Sequence, residues 1–84
     1  MDEGLKKDLI EMADGNVGAL NVLAALVTSG YLGAMLVLKY CGVKGPGIWI
    51  LYKRRCGGDL DALNTLLMDR SREEVTELAK ETRH

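Results

Sequence analysis

Apolar residues return along this chain at three- and four-residue spacing, the period of helices that bury one face. Leu5, Leu9, Met12 and Ala13 recur in this way among charged neighbours, which predicts an amphipathic helix over 3–13, ended by Asp14-Gly15. Asn16 is placed to cap a second helix. On it Val17, Leu20, Leu23, Ala24 and Val27 share a face, while Val22, Ala25 and Leu26 fill much of the other, up to a break at Thr28-Ser29-Gly30. A third helix over 31–41 carries Leu32, Met35, Leu36, Val37 and Leu38. Gly42 to Gly47 reads as a loop, with Pro46 suited to the first turn of a fourth helix over 46–56. Lys53, Arg54 and Arg55 fall in the last turn of that helix, where cations complement the dipole, and Gly57 can take the left-handed conformation that ends it.

Asp59 caps a fifth helix striped by Leu60, Leu63, Leu66 and Leu67. Ser71 and Glu74 have the spacing of a capping box, opening a sixth helix with Val75, Leu78, Ala79 and Thr82 on one side. No segment alternates with the two-residue period of a strand. The pattern predicts an all-α protein, a single helical domain over 1–84 built as a compact orthogonal bundle of five to six short helices. A short echo, Val17-Gly18-Ala19-Leu20 against Leu32-Gly33-Ala34-Met35, puts a Gly-Ala pair near the start of helices two and three and predicts that they pack closely as a hairpin.

Helices two and three are apolar nearly all round, and helix four adds the run Ile48 to Tyr52. Such helices need cover on every side. A chain of 84 residues leaves a large share of its surface exposed, so the other helices are expected to leave a contiguous apolar patch. This predicts self-association through a two-fold copy, or contact with another protein, through Leu36, Trp49, Leu51 and Tyr52, rimmed by Lys53, Arg54 and Arg55.

Composition sharpens the picture in two ways. There is no Phe and one Trp, so the core must be aliphatic with Trp49 as its only large anchor. The net charge of −1 conceals a basic middle: no acid lies between Gly15 and Gly58, a stretch holding Lys39, Lys44, Lys53, Arg54 and Arg55, while both ends are acidic. Either the ends fold against the middle, or the middle meets an anionic partner.

Candidate chemistry is sparse. One His and two Cys leave few parts for a metal site or a nucleophile and base, so no catalytic residue, metal or cofactor is expected, and the chain is not expected to be an enzyme. His84 is terminal, and the adjacent Glu73 and Glu74 point to different faces of a helix. The Gly42–Gly47 loop lacks the Gly-Lys-Ser/Thr ending of a phosphate loop, and Pro46 removes an amide donor. No secretory signal opens the sequence, which points to the cytoplasm and to Cys41 and Cys56 as reduced, buried small hydrophobes. Two alternatives remain. Trp49 and Tyr52 beside the three cations could serve a small nucleic-acid-binding regulator, although the pI near 5.7 opposes it. The uncharged stretch 15–38 is long enough to span a membrane, although Asn16, Asn21 and Ser29-Gly30 favour its division into two helices.

Gly15-Asn16-Val17-Gly18-Ala19, then Gly45-Pro46-Gly47-Ile48-Trp49-Ile50-Leu51-Tyr52-Lys53 and Cys56-Gly57-Gly58-Asp59, resemble small helical proteins encoded by bacteriophages and prophages. The likeness covers most of the chain in order. It departs at Val17, where such proteins more often carry Pro, and between helices two and three, where they carry acids and this chain has none. The resemblance implies an intracellular soluble protein without assigned activity, and supplies no catalytic residues. The function expected is a protein-interaction or self-assembling accessory module whose partner is a second copy or a host protein.

Overall fold

The caps anticipated from the sequence start three of the helices. In the computed structural model, which describes residues 2–80, the order is α1 (Glu3–Ala13), α2 (Val17–Thr28), α3 (Leu32–Tyr40), α4 (Pro46–Trp49), a π-helix (Ile50–Arg55), α5 (Leu60–Asp69) and α6 (Arg72–Leu78). The Asn16 carboxamide accepts from the Ala19 amide at 2.9 Å, and the Asp59 carboxylate from those of Asp61 and Ala62. Ser71 and Glu74 close the reciprocal capping box at 3.2 Å in both directions. Asp2 also caps α1, accepting from Gly4. No strand is present among the described residues, and the fold is all-α.

α2 occupies the centre, with α1, α3, α4 and α5 packed on it. α5 further contacts α3 and the π-helix, and α6 closes over the π-helix. Leu23, Leu26, Met35, Leu38, Ile48, Leu51, Leu63, Leu67 and Val75 are fully enclosed, one aliphatic core drawn from every element except α1, which adds Leu9 and Met12. The Cα radius of gyration is 11.6 Å, close to the roughly 12 Å of a well-packed chain of this length.

Central placement of α2 answers the excess of apolar surface on that helix. Apart from the exposed Asn21, its residues from Ala19 to Leu26 are buried or half-buried, and the exposed large hydrophobics are Ile10, Val17, Leu32, Tyr40, Trp49 and Met68. Val17, assigned to the apolar face, is 71% exposed because it begins α2 beyond the edge of the packing. Residues 15–38 form the hairpin of α2 and α3, turned at Gly30 with φ of 84°, and no helix among the described residues is long and apolar enough to cross a membrane.

Two further expectations change. The echoed glycines do not serve α2–α3 contact: a Cβ at Gly18 would meet the Trp49 ring, and one at Gly33 would meet Met68. The fourth helix is α-helical for one turn only. From Ile50 it widens to π geometry, and the Gly58 amide reaches back to the Tyr52 carbonyl at 2.8 Å, with Gly57 and Gly58 both at positive φ. The Cys41 and Cys56 thiols are free but half-buried, short of the burial expected. Thr82 and His84 lie outside the described residues.

Candidate functional site

The widened helix decides which of its side chains meet solvent. Ile48 and Leu51 turn fully inward, so Leu51, expected at a contact surface, is a core residue and is removed from the site. Trp49, expected both as a core anchor and as a contact residue, lies at the surface at 38% exposure. Its ring rests against the bare backbone of Gly18 in the first turn of α2, where a Cβ would stand 2.8 Å from ring atoms Cε3 and Cζ3. The Tyr52 ring centre is 5.8 Å away at 47°, and the Lys53 ammonium sits 5.5 Å from the indole centre. An ammonium so placed is held by the quadrupole of the ring.

These three side chains line a groove of about 410 Å³ with Gly18, Val22 and Ala25 of α2, the exposed carboxamide of Asn21 and Leu60 at the start of α5. Lys53 is the only charged residue among the described residues on its walls. Apolar surface, two aromatic rings and one cation make a site suited to binding an apolar anchor flanked by an acid.

The remaining expected residues disperse. Leu36 is half-buried in a separate groove of about 700 Å³ between α1 and α3, with Leu5 and Leu32 and the charged side chains of Asp2, Lys7, Asp8 and Glu11. Lys39 bridges the two helices there, its ammonium 2.9 Å from the Asp8 carboxylate, and that bond raises the Lys39 pKa. Arg55 donates from Nε to the Leu78 carbonyl at 3.3 Å, tying the π-helix to α6, and Arg54 is exposed beside it. Only Trp49, Tyr52 and Lys53 of the expected set therefore share one site.

Sequence reasoning missed Gly18 and Leu60 as parts of it. The echoed Gly-Ala pair did signal a close approach at Gly18, but gave no indication that an indole would fill it.

The Gly42–Gly47 segment is a connecting loop. The Gly45 amide donates to Met12 at 2.8 Å, and the amides of Gly47, Ile48 and Trp49 are engaged within the turn, so they form no open cradle for phosphate. Burial, and then the nearby Asp59 carboxylate, raise the Cys56 thiol pKa. Among the described residues, no three His, Cys, Asp or Glu side chains gather as metal ligands would. Comparison with protein-family models, with curated proteins and with solved structures finds no match.

Proposed function

We propose that this protein is a cytoplasmic protein-contact module, working by binding rather than catalysis, with Trp49, Tyr52 and Lys53 as its contact surface. The observation that carries this reading is the outward Trp49. A chain with one tryptophan and no phenylalanine encloses aliphatic side chains throughout its core yet leaves its largest apolar side chain 38% exposed on a glycine seat. Tryptophan and tyrosine are the residues on which protein interfaces concentrate their binding energy, and π-helical turns occur often at functional sites. The partner is a second copy or, in keeping with the resemblance to phage-encoded proteins, a protein of a host cell.

Affinity capture with the intact chain tests the reading. Trp49→Ala and Lys53→Glu are each expected to lower retention of the captured partner at least about ten-fold while far-ultraviolet circular dichroism stays unchanged. Equal retention by wild type and both folded variants would remove this surface from the function.

The absence of any carboxylate from the described lining of the Trp49 groove also supports a second reading, binding of single-stranded nucleic acid by stacking beside a cation. Against it, Lys53 already occupies the ring environment that a base would use. A salt-sensitive shift of a mixed-sequence oligonucleotide, lost in Trp49→Ala, would favour this alternative.

A further inference from the structure

The helices enter the core to unequal depth. α2 sends in Ala19, Val22, Leu23 and Leu26, and α3 sends in Ala34, Met35 and Leu38, whereas α6 buries Val75 and, just past its end, Ala79. Arg72, Glu73, Glu74 and Glu77 around them are exposed. Ala79 rests on Gly47, where a Cβ would stand 3.4 Å from the Ala79 carbonyl oxygen, 3.6 Å from its Cβ and 3.1 Å from Val43 Cγ1. The polar ties of α6 include Arg72 Nη2 donating to the Tyr40 carbonyl at 2.7 Å, the Cys41 thiol donating to the Arg72 carbonyl at 3.8 Å and Arg55 Nε donating to the Leu78 carbonyl at 3.3 Å, all at positions open to water. Bonds so placed are exchanged for bonds to water at small net cost.

We infer that α6 is a latch: it lets go of the π-helix as a unit, turning at Arg70 and Ser71, while the other described helices stay folded. Its release uncovers an apolar bed of Val43, Gly47 and Leu51, which the closed form hides. Arg70 and Ser71 are both extended, with ψ of 154° and 162°, so rotation at this one joint lifts α6 without moving α5. The remaining core does not depend on α6, because α2 is packed by α1, α3, α4 and α5. Seven residues are too few for a helix that persists once detached, so the open form trades helical order for chain entropy. Segments with shallow burial and solvent-exposed ties open at less cost than the whole molecule unfolds. This inference goes beyond the contact reading and does not involve the Trp49 surface.

Native-state hydrogen exchange on the full chain tests this. The Val75 and Ala79 amides, bonded at 3.0 Å to the Ser71 and Val75 carbonyls, are expected to exchange at least about 100-fold faster than the Leu23 and Leu26 amides of α2, after correction for sequence. Low urea should leave the α6 rates unchanged while the α2 rates climb, because a local opening exposes little surface. Val75→Ala removes the side chain that seats the latch and should speed α6 exchange about ten-fold. Val22→Ala, inside α2, weakens the closed and open forms alike, so it should speed α2 exchange about ten-fold and leave α6 exchange as it was. Amides of α6 that exchange at the α2 rate, climb with urea in step with α2, or quicken in Val22→Ala would show that α6 leaves only when the whole molecule unfolds, and would overturn the inference. Should Val22→Ala fail to fold, the urea series on the wild type decides by itself.

Discussion

Gly18 is where a single missing carbon shapes the candidate site. A Cβ there would come within 2.8 Å of Trp49 ring carbons, well inside the roughly 3.5–4.0 Å at which carbons pack, so any side chain must push the indole away. The same change favours α2, since alanine exceeds glycine by up to about 1 kcal/mol within a helix. Gly18→Ala should therefore separate the site from the stability of the fold. Tryptophan emission is expected to move to longer wavelength as the ring swings into water, with the melting temperature held or slightly raised. An unchanged spectrum would show that the indole does not rest on this glycine.

The boundary between α5 and α6 depends on the Ser71 cap. Ser71→Ala removes the acceptor for the Glu74 amide and is expected to cost about 1 kcal/mol, a fall of roughly 4–8 °C in melting temperature for a domain of this size. The reciprocal bond is sensitive to pH. The Ser71 backbone amide donating to Glu74, helped by the Ser71 side chain and by Arg70, lowers the Glu74 pKa below the ordinary 4.5. A carboxyl whose folded pKa is depressed contributes stability that is complete above its unfolded pKa and is lost as pH falls through its folded one. The gap in urea midpoint between wild type and Glu74→Ala should thus be present at neutral pH and shrink on acidification below the ordinary glutamate range. A gap that stays constant down to about pH 3 would exclude the charged form of Glu74 as the cap partner.

The molecule as a whole is held by aliphatic packing, with no polar or charged residue buried among the described residues. Leu51 joins the core clusters where the π-helix meets α5 and α6, at 0% exposure. Leu51→Ala is expected to cost about 2–5 kcal/mol, lowering the melting temperature by about 10 °C or more. Trp49→Ala, at a partly exposed ring, should cost clearly less although it deletes a larger side chain. Equal losses would mean that Trp49 is a structural element of the core and would weaken its assignment as a contact residue.

Local chemistry was legible in the chain. Asn16, Asp59 and Ser71 cap because their short polar side chains reach amides two or three residues ahead, and Gly30 and Gly57 turn because they lack a Cβ; each decision involves near neighbours alone. The aliphatic core followed from composition in the same way. The facing of helix four did not. Ile48 to Tyr52 is an unbroken apolar run, equally compatible with α and π turns, so no spacing within it marks which residues turn inward. That choice was made by distant surfaces: α5 and α6 close over Leu51, while the bare backbone of Gly18, thirty-one positions before Trp49, offers the indole a seat at the surface. The same holds for Leu36, which shares a stretch of apolar sequence with the core yet faces acids of α1. Caps and turns are settled over a few residues, whereas the outward Trp49 and the two grooves exist only after α1, α2, α3 and the π-helix have packed.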